Sequence, residues 1–326
     1  MHKNHKYYRI MRIKEFDLAK GIACVFVVMG HTTITNIEWW NTICHIVTSL
    51  SIHIFLFVSG FIYMTYKKEE SYISFLGRKA KRLLIPYLVV SLIILSLKML
   101  WGTTNDSGEQ VNIWSFVKVL YYPEASYMFW FIWTLLWMFC IIPFFRTRRS
   151  RTVLFLITII LRFTAPYYFY PTLFCLGKTE VMAVWFMLGV FCHDFKLYPS
   201  LCKNVNLLYI SLIFTSVVLF YILTDFRFTN EPLTVVGIWF ILALCIFISS
   251  GKIPKWLTVL SASSYTIYLF HSTFIGATKA VLTSTVFKSD TSEFASNAMI
   301  IFLVLSGVIG PIVLKYCISK FKTKFS

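Results

Sequence analysis

Long apolar blocks separated by short polar clusters run through almost the whole chain. A helix needs roughly 20 mainly apolar residues to cross the hydrocarbon core of a bilayer. Blocks of about this length cover residues 18–36, 43–66, 83–101, 127–145, 152–170, 173–192, 206–224, 233–250, 257–278 and 297–317. The pattern therefore predicts an all-α, polytopic integral membrane protein with about ten transmembrane helices.

Positive charges fall mainly on one side of these predicted helices. The N-terminal segment, every second loop and the C-terminal end carry most of the 31 lysines and arginines. The opposite side carries Lys118, Lys178, Arg227, Lys279 and Lys288. Because cytoplasmic loops are enriched in Lys and Arg, both termini are predicted to be cytoplasmic, in agreement with an even number of helices.

The composition supports one membrane-embedded domain over residues 1–326. Hydrophobic residues make up 58% of the chain and charged residues 14%, whereas soluble proteins have about 25% charged residues. We expect a multi-pass protein of the cell (cytoplasmic) membrane, with a basic cytoplasmic tail at 1–17 and a short one at 318–326. Lys20, inside the first apolar block, favours a retained helix over a cleaved signal peptide. The oligomeric state stays open.

Two other classes of site are not indicated. The net charge of +17 is compatible with nucleic-acid binding, but the cations lie in short clusters between apolar blocks, so no nucleic-acid partner is expected. The eight cysteines form no C-x-x-C pair, so neither a disulfide framework nor a metal site is expected.

The first predicted helix carries three polar residues on one face: Asp17, Lys20 and His31. Lys20 and His31 are eleven residues apart, which returns to within roughly 20° of the same face and separates them by roughly 16 Å. A charged residue at the centre of a membrane helix costs about 2.5–3.5 kcal/mol, so such residues usually have a function. The alternative is that Lys20 reaches to the interface and that His31 bonds a neighbouring helix.

A basic cluster precedes the third predicted helix. The cytoplasmic loop 67–82 ends with Arg78, Lys79, Lys81 and Arg82. These cations are suited to binding phosphate, which arginine grips with two hydrogen bonds. Contact with acidic lipid headgroups is an equally good interpretation of the same cluster.

Helices 2 and 4 contribute further candidates. Ser59 and Gly60 are small enough to let another helix backbone approach closely, which is a packing feature or part of a site. Trp130 belongs to an aromatic run that forms either an interfacial belt or the wall of a substrate pocket.

The remaining candidates are polar residues late in the chain or in the two interrupted helices. Tyr268 and His271 are neighbours on one helix face, so that one orients the other or His271 makes a structural hydrogen bond. Glu180 and Arg162 are charges within predicted spans and are expected to pair with each other.

Together these residues resemble the acyltransferase 3 family of membrane O-acyltransferases from about residue 10 to 318. The matching features are Asp17-x-x-Lys20, Lys20-x10-His31, Phe-Leu-Phe-Val-Ser59-Gly60-Phe, the Arg78-to-Arg82 stretch before Leu-Leu-Ile-Pro86-Tyr87, Trp130-Phe131, and Ser264-Tyr265-x-x-Tyr268-Leu-Phe-His271. Lys20 stands where many members have Arg. The family's Arg-x-x-Arg spacing is met only by Arg78-x-x-Lys81 and Lys79-x-x-Arg82, which leaves open which cations contact phosphate.

The resemblance implies a membrane-bound O-acyltransferase that moves an acetyl or other short acyl group from cytoplasmic acyl-CoA to a hydroxyl of a cell-surface or lipid-linked carbohydrate. It implies that His31 is catalytic, with Lys20 as its basic partner and Asp17 positioning Lys20. Arg78, Lys79, Lys81 and Arg82 then bind acyl-CoA, and Ser59, Trp130, Glu180, Tyr268 and His271 line the substrate pocket. Acetyl-CoA or another acyl-CoA is a donor substrate, and no permanently bound cofactor or metal is expected.

A transporter or flippase of a polysaccharide or lipid-linked sugar is the alternative. Buried charges on several helices are also typical of a translocation path. The acceptor, the acyl group and the choice between a general-base and an acyl-histidine mechanism stay open.

Overall fold

The computed structural model describes residues 13–33, 37–66, 70–105, 108–165, 172–198, 206–224, 231–286 and 293–325. Those residues form the helices α1 Lys14–Gly30, α2 Glu38–Thr65, α3 Tyr72–Leu100, α4 Ile113–Lys118, α5 Trp130–Ile141, α6 Arg148–Thr164, α7 Leu176–Asp194, α8 Leu207–Thr224, α9 Glu231–Ser250, α10 Lys255–Val281 and α11 Glu293–Phe325. Short 3-10 turns at Tyr127–Phe129 and Ile142–Phe144 extend α5 at both ends. The same residues contain no β-strand, only an isolated bridge between Thr104 and Gln110.

Each predicted apolar block overlaps one of the long helices. In the described part of the chain, six helices are long and apolar enough to cross a membrane: Glu38–Thr65, Tyr72–Leu100, Tyr127–Phe144, Leu173–Asp194, Glu231–Ser250 and Ala295–Lys320. The prediction of a helical membrane protein is therefore confirmed. The number of ten spans and the cytoplasmic position of both termini stay predictions.

The first helix ends earlier than the apolar block 18–36 predicted, and its last carbonyl groups accept hydrogen bonds from the residues that follow and from α2. The Met29 carbonyl accepts hydrogen bonds from the hydroxyl of Thr32 at 2.8 Å and from the thiol of Cys44 at 3.1 Å. These contacts satisfy a carbonyl that has no partner within the helix. His31 is thus the residue that follows α1.

The basic cluster lies on a helix and not in the predicted loop 67–82. Helix α3 begins at Tyr72, and the Ser71 hydroxyl caps it by accepting a hydrogen bond from the Ser74 amide at 3.3 Å. Hydropathy does not detect these first turns because they are charged. The cations therefore occupy fixed positions on the first three turns of α3.

Two glycines bring α2 and α7 into backbone contact. A Cβ atom on Gly60 would lie 2.0 Å from the carbonyl oxygen of Phe186. A Cβ on Gly189 would lie 2.0 Å from the carbonyl oxygen of Phe57. The close approach predicted at Gly60 is confirmed, and its partner is α7.

Helix α1 packs against α2, α9, α10 and α11 and is central to the described bundle. Gly21 faces α10, where an added Cβ would lie 3.2 Å from the backbone of Ser261. The hydroxyl of Ser261 donates to the backbone carbonyl of Asp17 at 2.7 Å. These contacts fix α1 and α10 side by side, so that residues further along the two helices also meet.

Buried ion pairs connect α6 to its neighbours. Arg151 binds Asp194 on α7 with two hydrogen bonds, of 2.6 and 2.9 Å. Arg162 binds Glu231 on α9, with 2.7 Å between Nε and Oε1. The partner that the structure gives Arg162 is thus Glu231, in place of the expected Glu180, which is half-buried on α7. A carboxylate in the first turn of a helix is also favoured by the helix dipole.

Candidate functional site

The position of His31 is fixed from α2. The indole N–H of Trp40 donates to the carbonyl of Thr32, the residue after His31, at 3.0 Å. Trp40 is buried in the first turn of α2. The neighbouring Trp39 is 53% exposed. The buried indole therefore holds the backbone beside His31.

Gly30, the residue before His31, lies in close contact with α2. An added Cβ on Gly30 would lie 2.3 Å from the hydroxyl oxygen of Thr48 on α2. Only glycine fits at this position without moving that side chain. The side chain of His31 itself is exposed at the end of α1.

The ring of His271, on α10, lies against the ring of His31. The ring centroids are 5.3 Å apart and the ring planes are inclined by 40°. The two residues are separated by most of the chain, and the parallel packing of α1 on α10 brings them together. His271 is completely buried, in contrast to the exposed His31.

Two backbone carbonyl groups fix the orientation of His271. Its Nδ1 lies 3.0 Å from the carbonyl oxygen of Ile267 and 2.9 Å from that of Tyr268. Because carbonyl oxygens only accept, the hydrogen of a neutral His271 ring is on Nδ1. Nε2 then carries the lone pair, and it is buried without a hydrogen-bond partner among the described residues.

Tyr268 bonds to α5, and not to His271, through its hydroxyl. Its hydroxyl donates to the carbonyl of Met128 at 2.6 Å, so only its backbone carbonyl orients His271. Its ring packs edge-on against Phe131, with centroids 5.3 Å apart, and Phe131 in turn lies 5.8 Å from Phe55. Aromatic side chains of α2, α5 and α10 thus form a wall beside the two histidines.

An aromatic row on α10 leads from the basic end of α3 to this pair. The centroid distances are 6.5 Å from Tyr265 to Tyr268 and 6.4 Å from Tyr268 to His271. The Tyr265 hydroxyl donates to the carbonyl of Leu83, the residue after Arg82, at 3.1 Å. Six residues of helix correspond to about 9 Å along its axis.

The expected pair of Asp17 and Lys20 is present on α1. The Lys20 ammonium lies 2.7 Å from Oδ1 of Asp17, and both side chains are only partly exposed. The backbone of Asp17 is held by Ser261, as described above. Asp17 therefore positions Lys20, one turn further along the helix.

The four cations of α3 do not form one group of equivalent charges. Arg78 forms an ion pair with Glu70. The Lys79 ammonium lies over the ring of Phe139, 4.1 Å from its centroid, and 5.6 Å from that of Phe75. The side chains of Lys81 and Arg82 are exposed.

The family model described as the acyltransferase domain matches residues 13–316. The chain belongs to the acyltransferase 3 family. No curated protein and no solved structure matches the chain. The family match and the apolar helices together identify a membrane acyltransferase, and the histidine pair lies within the matched residues.

The other predicted pocket residues of this acyltransferase fall into two groups. Trp130 is half-buried at the start of α5 and packs edge-on against Phe131, which contacts Tyr268. Ser59 and Glu180 are half-buried on α2 and α7, the pair of helices that meet at Gly60. The structure thus brings Trp130 to the aromatic wall and leaves Ser59 and Glu180 on the α2–α7 side.

The residues of α2 that support the candidate site were not predicted. Trp40, Cys44 and Thr48 lie against the chain at and just beyond the end of α1, at Thr32, Met29 and Gly30 respectively. Their spacing of four residues places them on one helix face. The sequence therefore indicates a polar stripe of an indole, a thiol and a hydroxyl on α2. It does not indicate which helix this stripe faces.

Proposed function

We propose that the protein is a membrane-bound O-acyltransferase of the cell membrane. It transfers an acetyl or other short acyl group from cytoplasmic acyl-CoA to a hydroxyl of a cell-surface or lipid-linked carbohydrate. The observation that carries this proposal is the exposed His31 beside the buried His271, within a domain of an acyltransferase family. An accessible imidazole held by its neighbours is suited to taking and returning a proton.

The donor path of the proposal follows the basic and aromatic residues. The phosphates of acyl-CoA bind the exposed Lys81 and Arg82, with Arg78 available after exchange of its Glu70 partner. The pantetheine arm then lies along Tyr265 and Tyr268 and brings the thioester to His31. Lys20 is roughly 16 Å from His31 along α1 and therefore acts on the donor and not on the reacting carbonyl.

In the proposed reaction, His31 carries one proton from the acceptor hydroxyl to the CoA sulfur. His31 removes the proton of the acceptor hydroxyl while the oxygen attacks the thioester carbonyl. A C–O bond forms, the C–S bond breaks, and His31 returns the proton to the departing CoA thiolate. General-base catalysis of this kind typically contributes 10²–10⁴-fold. The other route, in which His31 first accepts the acyl group, uses the same residue and the same donor path.

Radiolabelled acetyl-CoA tests the proposal directly. Membranes containing the wild-type protein are expected to label a carbohydrate product, and membranes containing His31→Ala to lose that label. His45→Ala removes an exposed histidine of α2 and serves as the matched control, with expected wild-type labelling. Unchanged labelling by a folded His31→Ala protein would contradict the proposal.

The transporter alternative makes a different prediction for the same membranes. A flippase moves a carbohydrate without consuming acyl-CoA, so it needs neither the donor nor the histidine. The buried arginines of α6 also fit this alternative poorly, because Arg151 and Arg162 are neutralised by Asp194 and Glu231. Labelled product that depends on His31 therefore distinguishes the enzyme from the transporter.

A further inference from the structure

One ring nitrogen of His271, beside the proposed catalytic His31, has no role in the proposed reaction. Nε2 of His271 is completely buried and has no hydrogen-bond partner among the described residues. Buried polar atoms of folded proteins nearly always have a partner, so an exception needs an explanation. The neighbouring ring is that of His31, which is exposed.

The distance between the rings suits a direct hydrogen bond. A nitrogen–nitrogen hydrogen bond of about 2.9 Å that joins two imidazoles in line gives ring centroids about 5 Å apart. The observed separation is 5.3 Å. The separation of the two rings therefore matches that of two imidazoles joined by an N–H···N hydrogen bond.

The other titratable groups beside the pair are already engaged. The phenol of Tyr268 donates to the Met128 carbonyl, and the thiol of Cys24 on α1 donates to the Ser264 carbonyl at 3.1 Å. Neither group is therefore available to Nε2 of His271. The hydrogen on Nδ1 of His271 is also engaged, by the two carbonyl groups of its own helix.

We infer that His271 is the positioning residue of His31. Nε2 of His271 accepts a hydrogen bond from one ring nitrogen of His31 and thereby directs the other nitrogen toward the acceptor hydroxyl. This inference rests on the proposed function. The hydroxyl proton moves to His31 and then to the CoA thiolate, while the proton between the two rings stays in place.

The role of His271 corresponds to that of the aspartate in a Ser-His-Asp triad, which fixes the tautomer of the histidine and stabilises its protonated form. A carboxylate completely buried in a membrane helix would be expensive. A neutral imidazole fixed at Nδ1 offers the same acceptor without a net charge. The arrangement of α1 and α10 thus provides the second member of the dyad at a low electrostatic cost.

Two substitutions separate positioning from packing. His271→Gln keeps an acceptor oxygen near the place of Nε2, whereas His271→Leu keeps the volume and removes the acceptor. We expect His271→Leu to lower kcat by about 100-fold or more with little change in KM for acyl-CoA, and His271→Gln to recover most of that loss. His271→Leu is also expected to move the acidic limb of the kcat profile to lower pH, because protonated His31 loses its hydrogen-bond acceptor.

Other outcomes would overturn the inference. Wild-type kcat in His271→Leu would mean that Nε2 has no role. Equal losses in folded Leu and Gln variants would mean that His271 itself transfers a proton. Equal losses of thermal stability and unchanged pH profiles would mean that it is a packing residue. The same two substitutions at the exposed His45 serve as controls.

A measurement without turnover keeps this test separate from the proposed function. Diethyl pyrocarbonate modifies neutral, accessible imidazole, and His31 is exposed while His271 is buried. The pH dependence of His31 modification is expected to shift in His271→Leu and to stay near wild type in His271→Gln. A shift without any acyl transfer would support the dyad and contradict the proposed reaction, whereas no shift would contradict the dyad.

Discussion

The indole of Trp40 on α2 donates a hydrogen bond of 3.0 Å to the carbonyl of Thr32, the residue that follows His31. We expect Trp40→Phe, which keeps a ring but removes the N–H, to lower the free energy of unfolding by about 1 kcal/mol. We also expect kcat to fall by about tenfold, because His31 is less firmly placed. Thermal unfolding in detergent and the acyl-transfer assay measure the two effects.

The adjacent tryptophan is the matched control for this substitution. Trp39 is 53% exposed, so Trp39→Phe is expected to leave stability and kcat close to wild type. Equal effects of the two substitutions would show that the Trp40–Thr32 hydrogen bond does not position the site.

The contact between α2 and α7 predicts a strong effect of a single methyl group. Gly60→Ala places a Cβ 2.0 Å from a backbone carbonyl oxygen of α7, which forces the helices apart. We expect a decrease in the melting temperature and in the yield of folded protein. Gly276→Ala, on α10 where a Cβ meets nothing within 4 Å, is expected to be neutral or to stabilise by up to about 1 kcal/mol. A Gly60→Ala protein as stable as Gly276→Ala would refute the backbone contact.

The ion pair of Arg162 and Glu231 predicts a non-additive double substitution. Removal of one partner leaves a largely buried charge, which typically costs about 3–5 kcal/mol. The double variant Arg162→Leu with Glu231→Leu is therefore expected to be more stable than either single variant. The exposed Glu109, which binds Lys118, provides the comparison, and Glu109→Leu should change stability by less than about 1 kcal/mol. Additive losses at Arg162 and Glu231 would contradict this expectation.

The cations of α3 are expected to divide into two functional groups. Lys81→Gln and Arg82→Gln should raise KM for acyl-CoA by about tenfold each, since a hydrogen bond to a charged group contributes about 1.5–3 kcal/mol. Lys79→Gln should instead lower thermal stability, because its ammonium packs on the ring of Phe139. Arg149→Gln, at an exposed position of α6, is the control. Equal KM effects of all four substitutions would indicate a general effect of positive charge.

The sequence was sufficient for the positions of the long helices and for the polar residues of α1. Apolar blocks of about 20 residues reveal spans directly, and the i,i+3 spacing of Asp17 and Lys20 predicts a pair within one helix. The contact at Gly60 was also predictable, because small residues mark close helix pairs in membranes. Each of these signals is local in the chain.

Features that depend on distant residues were not predictable in the same way. The contact between His31 and His271 arises from the packing of α1 on α10, and no local pattern states which helices meet. The thiol of Cys44 on α2 binds the Met29 carbonyl at the end of α1. The pairing of Arg162 depended on Glu231, which begins a helix that is distant in sequence.

The end of α1 at Gly30 has a consequence for the size of the acceptor. His31 stands with an exposed ring just beyond the helix, while its partner ring remains sealed inside the bundle. In the proposed reaction, the reacting hydroxyl therefore has to reach a helix tip and not the middle of a closed cavity. The rest of the acceptor can stay outside the bundle, so a hydroxyl within a long polymer is as reachable as one on a single sugar.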